Sequence, residues 1–289
     1  RVEEDARRLS SPNVHTVQPP TAPLAGRSMR WLVALGGVAA SLILASAMIL
    51  LLTLTRRIFA TPDEAERWLM LPTLAVFGDL KRSTQLKKDV PEVADFAALL
   101  ADARVGRQRA GVIQFVSTGG DDGRGELARS LAIEFAQRRG CATVLIDLQT
   151  DGRDHLAALG TQPVEVDRIA GQVLTFNTVV PNLWVSYEAR DSHLTDPHVG
   201  QAETRSLMNQ LRTAFDLVLI IGPERDESYA MRRLTALVDA NVIVVRGEQT
   251  RADLAREMRD WVLGSGGRLL GFVFTGLRPV LPRMVTRLL

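Results

Sequence analysis

From Val112 onward, short runs of almost uninterrupted apolar residues alternate with longer runs that have helical apolar spacing. Near-continuous apolar runs are typical of strands whose two faces are both covered by helices. The strand-like runs are Val112–Val116, Thr143–Asp147, Leu183–Tyr187, Leu217–Ile221, Asn241–Val245 and Leu269–Phe274, and the helix-like runs are Glu126–Arg139, Gln201–Ala214, Glu227–Leu237 and Arg251–Leu263. This alternation predicts an α/β fold built on a doubly wound, mostly parallel sheet with right-handed crossovers.

A glycine-rich turn, Ser117–Glu126, joins the first of these strands to the first helix. Strand, glycine-rich turn and helix form the context of a P-loop, in which backbone N–H groups and the helix N-terminus bind phosphate oxygens. The turn therefore predicts a sheet of the P-loop NTPase type. If a nucleotide binds, the residues that would contact it are Gly119, Gly120, Gly123 and Arg124.

The turn departs from a working P-loop at the positions that carry the chemistry. A Walker A loop needs a Lys for the terminal phosphates and a Ser or Thr for Mg²⁺, and this chain has Arg124 and Gly125 there. Arginine is not equivalent to lysine as a compact point charge, and glycine offers no hydroxyl. Asp121 and Asp122 add negative charge beside the place where phosphates would lie. A purely structural turn is the competing interpretation.

Two further strand ends should lie at the same edge of the sheet, where ligands bind in folds of this type. Asp147 is the candidate metal ligand at the first, because a carboxylate at a strand end can hold Mg²⁺; its alternatives are a general base or a cap of the following turn. Gln149, two residues on, is an amide. At the second, Ile221 stands where a Walker B strand would place its Asp, while Asp216 lies at the opposite end of that strand. No catalytic residue is assigned with these substitutions.

The run from Trp31 to Thr55 contains no charged residue and is bounded by arginines on both sides. About 20 apolar residues suffice to cross a bilayer, so we expect a transmembrane helix over residues 30–57. A signal peptide has a shorter apolar region, and a buried core helix would show a polar face. Spacings of small residues along the run are suggestive of helix–helix packing.

The flanking segments suggest how the chain is arranged around this span. Residues 1–29 contain several prolines and are expected to form an extracytoplasmic connector, with a disordered tail as the alternative. Residues 58–90 are expected to form a juxtamembrane segment and linker, and residues 91–289 a P-loop-like domain. More basic residues follow the span than precede it, which favours a cytoplasmic C-terminal side, and the single Cys141 agrees with a reducing compartment. The alternative is that these basic residues only contact anionic headgroups. Because the first residue is Arg1, we expect further sequence upstream.

The juxtamembrane segment has its own pattern. Thr61-Pro62-Asp63-Glu64 predicts a helix start, with a helix to about Met70. Leu71–Gly78 predicts a short strand, and Pro91–Val105 has helical spacing. The formal net charge of +2 gives no electrostatic footprint for nucleic acid, so nucleic acid is not expected as a partner.

Taken together, these motifs resemble the C-terminal half of bacterial polysaccharide co-polymerases (chain-length determinants) fused to a bacterial tyrosine-kinase domain. The motifs that carry the resemblance are the charge-free span, R-R-I-F-A-T-P-D-E-A-E-R-W-L-M-L-P-T-L, the P-loop-like turn, V-L-I-D, F-D-L-V-L-I-I-G-P and G-F-V-F-T. The resemblance implies a protein of the bacterial inner membrane, with its C-terminal domain in the cytoplasm, acting in the synthesis and export of exopolysaccharide, capsule or lipopolysaccharide. It implies a homo-oligomer, assembled through membrane and cytoplasmic domains, whose partners are the polysaccharide polymerase and export machinery.

Measured against that family, the candidate site is degenerate at five positions: Arg124, Gly125, Asp147 as the remaining half of an Asp-x-Asp motif, Gln149 and Ile221. The family's kinases also carry a Tyr cluster near the C-terminus, whereas this sequence contains only Tyr187 and Tyr229. We therefore expect a pseudokinase without a cofactor. The alternatives are a divergent autokinase or ATPase that uses ATP and Mg²⁺, and a P-loop positioning ATPase, which the membrane span disfavours.

Overall fold

The computed structural model describes residues 30–55, 57–80, 91–102, 111–120, 122–149, 153–159, 166–169, 173–187, 193–224 and 228–277. The chain divides into two compact units, one ending at Thr55 and one beginning at Arg56. The predicted connector at residues 1–29, residues 81–90 of the predicted juxtamembrane segment and linker, and Asp121 lie outside the described residues.

In the first unit, a single helix, α1 (Arg30–Thr55), covers the charge-free run. Its 26 residues are equivalent to about 39 Å of helix, which exceeds the roughly 30 Å of a hydrocarbon core. The segment Arg30–Ile49 has a mean hydropathy of 2.3, and none of it is buried inside the protein. Among the described residues, α1 is the one helix long and apolar enough to cross a membrane.

The second unit is built on a nine-stranded sheet with the order β1-β9-β8-β2-β7-β3-β6-β5-β4. The strands are β1 (Thr73–Val76), β2 (Gly111–Val116), β3 (Thr143–Asp147), β4 (Val166–Ile169), β5 (Val173–Asn177), β6 (Leu183–Tyr187), β7 (Leu217–Ile221), β8 (Ala240–Arg246) and β9 (Leu269–Thr275). In the order of the sheet, every pair of neighbouring strands from the β1 edge as far as β6 is parallel. At the other edge, β5 pairs antiparallel with both β4 and β6. The predicted mostly parallel sheet is confirmed.

Helices cover both faces of this sheet. They are α2 (Pro62–Leu69), α3 (Pro91–Asp102), α4 (Arg124–Ile133, continued by a π-helical turn over Glu134–Arg138), α5 (Arg153–Ala158), α6 (Gln201–Ala214), α7 (Tyr229–Leu237) and α8 (Ala252–Gly264). Alternate side chains of β2 serve the two faces: Ile113 and Phe115 pack with α3 and α4, whereas Val112 packs in the cluster that contains α6 and α7. This two-sided burial explains the uninterrupted apolar character of the strands.

Three elements that the apolar pattern did not predict lie between β3 and β6, namely α5, β4 and β5. Each has only four to six residues, so its pattern is too short to give a periodic signal. The antiparallel pairing of β5 also departs from the strand–helix alternation of the remaining sheet.

The juxtamembrane segment is part of this folded unit. Thr61 caps α2 by accepting a hydrogen bond from the N–H of Glu64, and the Glu64 carboxylate accepts one from the N–H of Ala60. The chain then runs into β1, which adds to β9. Gly271 permits this close approach, because a Cβ there would lie 2.5 Å from the carbonyl oxygen of Pro72. The compact unit that holds the sheet begins at Arg56 and includes this segment.

Candidate nucleotide site

The glycine-rich turn joins β2 to α4 as its sequence predicts. Gly123 precedes the helix with φ of +86°, a left-handed conformation that glycine adopts without steric cost. The Gly123 carbonyl accepts the first helical hydrogen bond, from the N–H of Leu127. The hydroxyl of Thr275, at the end of β9, donates to the carbonyl of Asp122 over 2.6 Å. The turn is thus fixed both to its own helix and to a distant strand.

Arg124 is the first residue of α4, and its side chain points into the protein with an exposed fraction of 0%. Its Nη1 donates to the carbonyl oxygen of Gly222 over 2.9 Å, just beyond β7. Its Nη2 donates to the carbonyl oxygen of Gly119 over 3.1 Å and to Oε1 of Gln149 over 3.2 Å. The guanidinium therefore connects the turn with the segments that follow β3 and β7.

Arg124 forms an ion pair with a carboxylate of the same turn, that of Asp122. The Asp122 carboxylate lies 2.9 Å from Nε of Arg124, and it accepts a hydrogen bond of 2.9 Å from the Arg124 backbone N–H at the start of α4. That N–H belongs to the set of donors which binds phosphate in a working P-loop. Burial raises the pKa of Asp122 above its ordinary 3.8, although the neighbouring Arg124 acts in the opposite direction. Asp122 was noted in the sequence only as an unfavourable charge.

Asp147 lies at the carboxyl end of β3, but both of its oxygens have protein partners. Oδ1 accepts a hydrogen bond of 2.7 Å from the N–H of Gln149, which is the turn cap considered from sequence. Oδ2 lies 3.2 Å from Nε2 of His155 on α5, and both side chains are buried. A Cβ on Gly125 would lie 3.5 Å from Cε1 of His155, so the imidazole stands beside the position where a Walker A hydroxyl would be attached.

His155 is the residue that the sequence interpretation missed. It lies on α5, which had no periodic signal. It comes eight positions after Asp147 in the sequence, which is not a recognisable ligand spacing. The contact forms only because the chain turns back after β3.

The other two predicted positions, Gln149 and Ile221, contact only other residues of the protein. Gln149 accepts from Arg124 and donates to the carbonyl oxygen of Gly120 over 3.4 Å. Ile221 pairs in register with both Phe115 and Asp147, and its side chain lies in the core. The structure thus brings all the predicted positions to one edge of the sheet, with the Ile221 side chain directed into the core.

A cavity of about 200 Å³ opens among these side chains. Its lining includes the carboxylates of Glu126, Asp147 and Asp154 against the guanidinium groups of Arg124 and Arg129. Burial lowers the pKa of Arg129 from its ordinary value. The cavity is smaller than a usual ligand pocket, which measures about 300–1,000 Å³. A triphosphate favours a positive lining, whereas this lining carries charges of both signs.

Mg²⁺–ATP does not fit the residues present. Mg²⁺ requires oxygen ligands in near-octahedral arrangement, but Gly125 and Ile221 provide none and Asp147 is held by His155.

Solved structures with the same architecture include two tyrosine kinase domains and a chimeric protein. The kinase domain of the Escherichia coli tyrosine kinase ETK matches with a TM-score of 0.60 and 13% identity, covering 77% of this chain and 97% of its own. The BceF tyrosine kinase domain matches with a TM-score of 0.56 and 18% identity, covering 77% and 100%. The chimeric protein CapA2B2 matches with a TM-score of 0.61 and 17% identity, covering 76% and 100%.

The second unit has the fold of a bacterial tyrosine kinase domain. The resemblance drawn from the sequence motifs is therefore confirmed at the level of the fold. No protein-family model and no curated protein sequence matches the chain. At these identities the likeness establishes the kinase-like fold, and the state of the site must be argued from the residues themselves.

Proposed function

We propose that this chain is a membrane-anchored component of polysaccharide synthesis and export whose tyrosine-kinase-like domain does not transfer phosphate. Its part in the production of exopolysaccharide, capsule or lipopolysaccharide would be chain-length regulation and assembly. The fold of the second unit and the charge-free helix α1 support the general role. We place the protein in the bacterial inner membrane with the kinase-like unit in the cytoplasm.

The main support for a loss of catalysis is that the Arg124 guanidinium is hydrogen-bonded within the protein. All three guanidinium nitrogens donate to protein oxygens, and the side chain has no exposed surface. Hydrogen bonds to charged groups contribute about 1.5–3 kcal/mol each. An incoming phosphate would have to displace several such bonds and also uncover a buried carboxylate at Asp122.

The electrostatics of the turn oppose a triphosphate as well. The Asp122 carboxylate already accepts a hydrogen bond from the N–H group at the start of α4, where the helix dipole would favour an external anion. A second negative charge at that point would be repelled rather than attracted.

Phosphoryl transfer in P-loop proteins depends on positioning and on neutralisation of charge by Lys and Mg²⁺. Loss of a single electrostatic contact to a transition state costs about 10²–10³ in rate. This chain has replaced the Lys, the hydroxyl and two carboxylates, at positions 124, 125, 149 and 221. Their combined loss leaves the fold as a scaffold.

As a scaffold, the chain would act through its contacts with other proteins. Small-residue spacings along α1, such as Gly36–Ala40 and Gly37–Ser41, permit close packing of a second transmembrane helix. We propose homo-oligomers formed through the membrane and cytoplasmic parts, with the polysaccharide polymerase and export machinery as partners.

The test is isothermal calorimetry of Mg²⁺–ATP with the full chain in detergent micelles, combined with a phosphotyrosine assay. We expect no saturable heat and no phosphotyrosine under conditions in which an active kinase domain of the same fold gives both. Saturable binding with turnover, abolished in Arg124→Ala, would instead establish the alternative: a divergent autokinase or ATPase with ATP and Mg²⁺ as cofactors.

A further inference from the structure

A cleft of about 590 Å³ lies between α2 and α8, and none of its lining residues belongs to the glycine-rich turn. The residues that line it are Thr61, Glu64, Arg67, Trp68, Met70 and Arg256. The polysaccharide role proposed above makes no use of this cleft.

The cleft carries more positive than negative charge. Arg67 and Arg256 line it, and both are exposed. Arg57 extends over the ring of Trp68, with 5.2 Å between the guanidinium carbon and the ring centroid. Within the described residues, none of these three arginines forms an ion pair. The one carboxylate in the lining, that of Glu64, accepts the N–H of Ala60 as part of the α2 cap.

The apolar side chains beside these charges are also exposed. Met70 is 71% exposed, Ile58 is 43% exposed and Trp68 is 36% exposed. Tryptophan and arginine side chains next to apolar ones are typical of surfaces at the membrane–water interface.

The cleft lies on the segment that follows the apolar span in the sequence. Arg57 comes two residues after Thr55, at which α1 ends. Arg57 is also held to the second unit: its carbonyl accepts a hydrogen bond of 2.8 Å from the N–H of Ala252, at the start of α8. Phe59, two residues further on, is fully buried, and its N–H donates to the carbonyl of Thr250. The segment that follows the span in the sequence is therefore packed against the start of α8.

We propose that the cleft lined by Arg67, Trp68 and Arg256, with Arg57 beside it, binds the headgroup of an anionic phospholipid. The guanidinium groups pair with the phosphate, and Trp68 and Met70 contact the glycerol and the first methylenes. The cytoplasmic leaflet is rich in anionic lipid, and each basic residue near its surface strengthens binding by about fivefold. The proposal rests on membrane anchoring through α1 and is independent of whether the glycine-rich turn binds a nucleotide.

Native mass spectrometry of the full chain in detergent micelles tests the proposal, with phosphatidylglycerol and phosphatidylcholine titrated separately. We expect wild type to retain phosphatidylglycerol more tightly than phosphatidylcholine, and Arg67→Gln/Arg256→Gln to weaken that retention by about 10- to 30-fold. The matched control is Arg205→Gln/Arg268→Gln, which removes two exposed arginines outside the cleft and should change retention less than twofold. Equal thermal unfolding of the two double variants excludes a loss of folding.

Three outcomes would overturn the proposal: equal retention of both lipids by wild type, equal losses in the two double variants, or displacement of phosphatidylglycerol by free glycerol phosphate at equal concentration. Resistance of the full chain to extraction from membranes by alkaline carbonate reports anchoring separately, so that failure of the lipid site can be distinguished from failure of the membrane assignment.

Discussion

The Arg124 guanidinium donates a hydrogen bond of 2.9 Å to the carbonyl oxygen of Gly222, 98 residues further along the chain. The same side chain pairs with Asp122 two residues before it. Together these bonds join the glycine-rich turn to the end of β7. At the position where a Walker A loop carries its Lys, Arg124 thus connects the turn to the edge of the sheet.

Replacing Arg124 by alanine should therefore lower stability. Arg124→Ala leaves the Asp122 carboxylate buried without its partner, and breaking a buried pair in this way costs about 3–5 kcal/mol. Urea unfolding of the full chain in detergent, followed by the fluorescence of Trp184 and Trp261, measures the change. The control Arg205→Ala, at an exposed position on α6, should stay within about 0.5 kcal/mol of wild type. A loss below about 1 kcal/mol for Arg124→Ala would contradict the structural part assigned to this residue.

The same pair predicts a particular pH dependence. Because burial raises the folded-state pKa of Asp122 above 3.8, the folded state binds more protons at this site than the unfolded state does. The contribution of Asp122 to stability is greatest below pH 3.8 and is lost as pH rises through the folded-state pKa. Other groups titrate alike in wild type and Asp122→Asn, so the difference in their free energies of unfolding isolates this site. We expect the stability of wild type relative to Asp122→Asn to fall with rising pH; a rise would show that attraction by Arg124 outweighs desolvation.

The elements around the turn could be predicted from sequence because they depend on short-range patterns. The strands Thr143–Asp147, Leu183–Tyr187 and Leu217–Ile221 have the bounds that their apolar runs indicate. The helix Gln201–Ala214 likewise agrees with its apolar spacing. Burial on both faces leaves a signal in every residue of such strands.

The direction of the Arg124 side chain could not be predicted in this way. A phosphate and the Gly222 carbonyl are both acceptors for a guanidinium, and only the assembled sheet places Gly222 within reach. The pairing of Asp147 with His155 could not be predicted for the same reason, since it depends on α5 bringing His155 to the end of β3. Sequence identifies the absent Walker residues, whereas the groups that replaced them become visible only in three dimensions.

Gly125 should tolerate alanine but not threonine. A Cβ at this position meets His155 Cε1 at 3.5 Å, an ordinary contact, and alanine favours a helix over glycine by about 1 kcal/mol. The Thr side chain extends further, towards the imidazole, and overpacking costs about 1–3 kcal/mol. Urea unfolding of Gly125→Thr, His155→Ala and the double variant gives the coupling between the two positions. We expect His155→Ala to relieve most of the cost of threonine; additive losses would exclude the contact.

Gly271 tests whether the juxtamembrane segment belongs to the folded unit. A Cβ on this residue would lie 2.5 Å from the carbonyl oxygen of Pro72 and 2.8 Å from Cγ of Leu74, so Gly271→Ala must push β1 away from β9. We expect the amides of Ala75 and Phe77 to exchange hydrogen at least tenfold faster, equivalent to about 1.4 kcal/mol of local stability. Gly264→Ala is the matched control, because nothing lies within 4 Å of a Cβ there. If both variants exchange like wild type, β1 is not held by the packing described. If β8 and β2 also lose protection in Gly271→Ala, β1 unfolds together with the whole sheet rather than as a separable edge.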